Sequence, residues 1–255
     1  MRTKFSNIRL IAASGLMIAG SIFPLSKAFA DGEAEAASQH SFSATVTGAS
    51  DYVFRGITQT DEEFAIQGSM DYSHSSGVYV GAWASNIDFG DGNGESSELD
   101  IYGGFANSIE WLDYDAGFIY YNYPGVGSSR NFDYVEAAFS IGHDFGFAAT
   151  SVGFNWSPDN FGESGDAVYV WGDVSVPSPV EMPLPLSLDM HIGHQDIDKN
   201  ATFGFPDYLE WSLGLSTSVQ GFDLSITYHD TDLKDSEGAQ DIADSRAVFA
   251  VSRSF

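Results

Sequence analysis

The chain has 255 residues, no cysteine, 43% apolar content, and 36 acidic against 10 basic residues. Disulfides cannot brace it, and so strong a negative charge makes nucleic acid an unfavourable partner. Beyond the first 30 residues no apolar run approaches the ~20 residues of a spanning helix, yet aromatics make up 15% of the chain. The remaining way to satisfy backbone hydrogen bonds inside lipid is a closed barrel.

Residues 1–30 read as an export signal. Arg2, Lys4 and Arg9 precede an apolar stretch from Leu10 to Phe23 and the small-residue site Ala28-Phe29-Ala30. Cleavage after Ala30 also removes Lys27 but no acid, leaving 6 basic and 36 acidic residues and a formal charge of −30. Residues 31–41 are small, polar and acidic and are expected to form a flexible arm.

From Phe42 onward the dominant hydrophobic period is two. Twelve strands are expected, over 42–55, 63–73, 78–87, 98–108, 112–122, 132–141, 146–156, 167–176, 184–193, 208–219, 222–230 and 244–255. In the second, Phe64, Ile66, Gly68, Met70 and Tyr72 alternate with Ala65, Gln67, Ser69, Asp71 and Ser73. Most of these segments match the ~9–11 residues of a tilted membrane strand. The third and seventh are apolar on both faces, so ten or fourteen strands stand as alternatives.

The connections alternate between short ones, such as 74–77, 109–111 and 220–221, and longer glycine- and acid-rich ones, such as 88–97, 157–166 and 231–243. That alternation fits the short turns and long loops of a bacterial outer-membrane barrel, with both termini on the short-turn side. The fold class expected is all-β, an antiparallel up-and-down transmembrane barrel over 42–255. A soluble β-sandwich shares the period but buries its apolar faces inward. The twelfth strand ends at Phe255, with Phe249 and Val251 on the same face. This resembles the C-terminal sorting signal of outer-membrane barrels and implies the barrel-assembly machinery as a partner. Arg253 stands where an apolar residue is commoner; its long stem can lie along apolar surface while its charge reaches the headgroups.

The stretch Asp51-Tyr52-Val53-Phe54-Arg55-Gly56-Ile57-Thr58-Gln59, followed by Asp71-Tyr72 and Gly77-Val78-Tyr79-Val80-Gly81-Ala82-Trp83, resembles the opening of the TorF family of porins. The resemblance is distinctive over about the first three strands. It implies an outer-membrane barrel with a channel role, names no solute, and brings no catalytic residues.

If the apolar positions face lipid, the opposite positions place Asp51, Asp71, Glu98, Asp100, Asp113, Asp115, Glu136, Asp173, Asp189, Glu210 and Asp223 inward, against Arg55 and Arg246. Position along the strands makes Asp100, Asp115, Glu136, Asp173 and Asp189 the candidate lining. A carboxylate-lined pore prefers cations, which predicts a passive pathway for small polar or cationic solutes. The alternative is a barrel filled by Tyr102, Tyr121, Tyr134, Tyr169 and Trp171, with the acids hydrated near its ends. A non-conducting structural or adhesive barrel is the second functional class. Arg55 is expected at the outer end of the first strand, paired with inward carboxylates; binding of an anionic solute or a lipopolysaccharide phosphate is its other reading.

The loop Asp88–Glu95 alternates oxygen ligands and glycine but lacks EF-hand spacing, and many acidic loops would more simply bridge lipopolysaccharide through divalent cations. His191 is expected inward and His194 in a loop, so their spacing does not make a metal pair. No cofactor is implied. Ser225 or Thr227 with His229 is the best candidate for hydrolytic chemistry, but neighbours on one face of a strand lie ~7 Å apart, and no nucleophile motif marks the serine. The expectation is a channel rather than an enzyme, surrounded by outer-membrane lipid and lipopolysaccharide.

Overall fold

A computed structural model describes residues 38–90, 94–127, 129–180, 184–234, 239 and 241–255. The export signal, residues 31–37 of the arm and the centre of the 88–95 loop lie outside the described residues.

The elements run β1 (His40–Ala49), β2 (Val53–Phe54), β3 (Ile57–Thr58), β4 (Ala65–His74), β5 (Val78–Asn86), β6 (Ser97–Ile109) and β7 (Leu112–Asn122). They continue with β8 (Tyr134–Asp144), β9 (Ala149–Ser157), β10 (Ala167–Pro177), β11 (Leu186–Ile197), β12 (Tyr208–Val219), β13 (Phe222–Thr231) and β14 (Arg246–Ser254). β4 to β14 pair consecutively, and β1 closes the ring between β14 and β4, giving a twelve-stranded antiparallel barrel. Closure leaves no sheet edge unpaired.

The period-two pattern sorts side chains between the two faces of the wall. Ile66, Met70, Phe118, Val152, Ile192, Leu213 and Phe249 each leave half or more of their surface uncovered on the outside. On the opposite face, Gln67, Ser69, Ile119, Asn155, His191, Ser212 and Val248 are buried inside. Apolar residues turned outward exclude the sandwich reading, because a soluble fold would bury them.

One end of the barrel carries tight turns. Gln220 and Gly221, with φ of 53° and 81°, join β12 to β13 with positive φ at both central residues, as a type I′ hairpin requires. The other end carries the longer loops, including the short helical turns Phe161–Glu163 and Asn200–Phe203.

Most expected segments differ from the observed strands only near their ends, and three differences change the reading. β1 begins inside the expected flexible arm, where His40 and Ser41 pair with His74 and Ser73. It stops at Ala49 rather than at residue 55, and the chain then leaves the wall. β11 runs on to Ile197, so His194 is a strand residue facing outward.

Candidate functional site

Between Ser50 and Phe64 the chain turns into the lumen at the loop end and forms a small hairpin. β2 and β3 pair through Val53 with Thr58 and Phe54 with Ile57. Arg55 and Gly56 form its tip at φ of 47° and 80°, the same turn chemistry that joins β12 to β13. Gly56 is required there: a Cβ would lie 2.5 Å from Thr231 Cγ2 and 2.8 Å from Glu210 Cβ.

The neck is held from several sides. Asp51 accepts hydrogen bonds from Thr58 Oγ1 at 2.5 Å, Thr60 Oγ1 at 2.9 Å and Arg246 Nη1 at 3.2 Å. Thr58 N donates to Ile242 O at 2.9 Å, and Asp88 N donates to Gln59 O at 2.8 Å, which ties the hairpin to two of the long loops. Tyr52 packs against Trp83 and Phe54 against Tyr121, with ring centroids 5.2 and 5.9 Å apart.

Arg55 carries the tip into a polar seat built by the wall. Its Nη2 donates to Glu136 Oε2 at 2.7 Å and its Nη1 to Gln195 Oε1 at 2.8 Å. The guanidinium carbon lies 4.1 Å from the Tyr169 ring centroid, close enough for a cation–π contact. The same Glu136 oxygen accepts from Asn155 Nδ2 at 2.9 Å and Tyr121 OH at 3.2 Å. Asn155 is oriented in turn by Trp171 Nε1 at 3.1 Å. Arg55, Glu136, Gln195 and Tyr169 are each no more than 3% exposed. Burial alone would lower the Arg55 pKa, but the adjoining Glu136 carboxylate outweighs it and raises the value above the ordinary arginine range. In the neck, burial and then the Glu98 carboxylate hold the Tyr52 phenol well above its usual pKa.

The expected lining residues divide between two regions. Glu136 and Asp100 lie in the filled half of the lumen, and Asp100 Oδ1 has no hydrogen-bond partner among the described residues. Asp115 accepts from Tyr79 OH at 2.9 Å, Asp173 meets His191 Nδ1 at 2.6 Å, and Asp189 accepts from Ser175 Oγ at 2.6 Å and Ser216 Oγ at 2.5 Å. Asp71, Asp173, Asp189 and Asp223 keep part of their surface accessible toward the turn end. The lumen is therefore a cup of partly accessible carboxylates and hydroxyls at one end and a packed polar and aromatic layer at the other. Tyr102, Tyr121, Tyr134, Tyr169 and Trp171 are all buried inward, but the hairpin completes the filling.

Arg55 consequently does not sit at a strand end; it is displaced into the lumen, although its partner is an inward carboxylate. Gln195 and Asn155 escaped the sequence reading because neutral amides on alternating strands carry no motif. His229 Nε2 is buried without a hydrogen-bond partner among the described residues, and the residue faces Ser212 in register, so neither Ser225 nor Thr227 is oriented by it. On the outer face, Phe249, Val251 and Phe255 are 58%, 47% and 72% exposed. Arg253 lies over the Phe222 and Phe255 rings at 4.8 and 5.4 Å, which gives its stem an aromatic bed. At the loop end, a cavity of about 400 Å³ is lined by Tyr123, Phe132, Asp133, Asp159, Asn160 and Glu163 among others, with no basic residue in its described lining.

A family model described as "Bacterial protein of unknown function (Gcw_chp)" matches residues 33–255. A comparison with curated protein sequences finds no match. Among solved structures, the barrel is similar to the KdgM porin at a TM-score of 0.56 and 6% identity, covering 84% of this chain and 99% of that one. It is also similar to KdgM in complex with disordered oligogalacturonate, at 0.56 and 5% identity over 84% and 99%. The NanC porin aligns at 0.50 and 10% identity over 83% and 98%. At such identities the likeness is one of fold.

Proposed function

The chain belongs to the Gcw_chp family of bacterial proteins, and from that premise we propose that it is an outer-membrane, porin-like channel for small polar or cationic solutes. The observation that carries this reading is the sorting of the wall: apolar side chains outside, carboxylates inside. Arg55 and Arg246 reach the interior, set against acids that include Asp71, Asp100, Asp115, Asp173 and Asp189. A cation passing such a wall is stabilised and an anion is repelled. The acid-lined cavity among the loops acts in the same direction by concentrating cations at the mouth.

The barrel shape itself supports the channel reading, because the KdgM and NanC structures it resembles carry the description porin. The packed hairpin favours a second reading, a non-conducting structural barrel. Bilayer recording separates the two. Purified protein in a planar bilayer under a salt gradient is expected to conduct with a reversal potential on the cation side. Absence of conductance would favour the structural barrel, and anion preference would contradict the acidic pathway.

A further inference from the structure

The seat of Arg55 has the composition of a receptor for a planar cation. Glu136 supplies a carboxylate oxygen, Gln195 a carbonyl oxygen and Tyr169 a ring face, at 2.7, 2.8 and 4.1 Å from the guanidinium. All three belong to the wall, on β8, β11 and β10, and Glu136 is held by Asn155 and Tyr121 independently of the hairpin. The seat is thus organised by elements that persist if the arginine leaves. A fork of donors facing two acceptors over an aromatic plane selects guanidinium over a spherical cation.

The occupant is delivered on a strained support. Type I′ tips favour Asn-Gly or Asp-Gly, whereas here arginine takes the first central position at φ 47°. A left-handed conformation is disfavoured for a residue with a Cβ. Nothing in the turn rewards arginine over asparagine; its side-chain contacts in the wall do.

We propose that Glu136, Gln195 and Tyr169 form a guanidinium-binding subsite of the lumen, and that Arg55 is its tethered occupant. Removing the tethered side chain opens the seat to free guanidinium-bearing cations. Its relevance to transport rests on the channel reading; the binding itself does not.

The test uses Arg55→Gly, which suits the left-handed backbone, with Arg55→Asn as a second variant compatible with the turn. Full-length processed protein in detergent is melted with millimolar guanidinium chloride or with potassium chloride at equal ionic strength. Guanidinium is expected to raise the midpoint of either variant by about 2–4 °C relative to potassium, a binding stabilisation. It should leave the wild type unmoved, and Glu136→Gln in the same background should abolish the gain. Equal midpoints in both salts for both variants, or a gain that survives Glu136→Gln, would overturn the subsite.

The same variants recorded in planar bilayers should show potassium current blocked by guanidinium over the concentrations that shift the midpoint. A midpoint shift without conductance supports the subsite and removes the channel reading. Conductance without a midpoint shift or block does the reverse.

Discussion

Arg55 and Glu136 lie 81 residues apart in sequence and meet at 2.7 Å inside the barrel, each almost fully buried. The pair joins the tip of the inserted hairpin to the wall. Breaking a buried ion pair from one side leaves the other charge without compensation, at a cost of about 3–5 kcal/mol. Glu136→Ala is therefore expected to lower the urea midpoint strongly. Adding Arg55→Ala to it should cost little more or recover part of the loss. Additive effects of the two substitutions would show that the pair contributes no coupling.

Gly56→Ala tests how closely the tip is seated. The new methyl would collide with Thr231 and Glu210 and sit at φ 80°, so the hairpin should loosen by about 1–3 kcal/mol. Hydrogen exchange is expected to speed up over residues 51–60 while β4 to β14 keep their protection. Unchanged exchange across 51–60 would mean that the tip has room that the packing does not show.

The hairpin also marks where sequence reading reaches its limit. The wall was legible because most strands alternate apolar and polar residues, as in Leu213 and Leu215 against Ser212 and Gly214. Alternation across Thr47, Ala49 and Asp51 runs smoothly into Val53 and Arg55, so the departure at Ala49 leaves no mark in the hydrophobic pattern. The one local signal is chemical: Phe54-Arg55-Gly56-Ile57 has the same X-Gly turn form as Val219-Gln220-Gly221-Phe222. The second was readable as a turn because long strands flank it. The first is flanked by two-residue strands, and its partners, Glu136 and Gln195, lie far along the chain. The inward side of Glu136 followed from periodicity; its pairing with Arg55 depends on three-dimensional closure.

Phe118 tests the outward face. It sits in β7 at 65% exposure, and under the proposed membrane placement an arginine there would meet hydrocarbon. Phe118→Arg is expected to cost about 2–4 kcal/mol in lipid vesicles, measured by reversible unfolding, and much less in detergent micelles that deform around the charge. A neutral result in vesicles would indicate that this face does not meet lipid.

Phe255 separates assembly from stability. Its backbone bonds to Ala44, at 2.9 and 3.3 Å, survive truncation of the side chain, and the ring itself points outward. Phe255→Ala should fold normally from urea into detergent yet accumulate poorly as the heat-modifiable barrel form in cells. Equal accumulation of the two proteins in membranes would remove the terminal ring from any sorting role.

The central claim, a channel narrowed at its loop end by residues 52–59, is tested most directly by single-channel recording after that segment is replaced with a short Gly-Ser link. The narrowing predicts larger and more frequent conductance steps than wild type, with cation preference retained. A shortened protein that inserts as a folded barrel but passes no more current than wild type would contradict it.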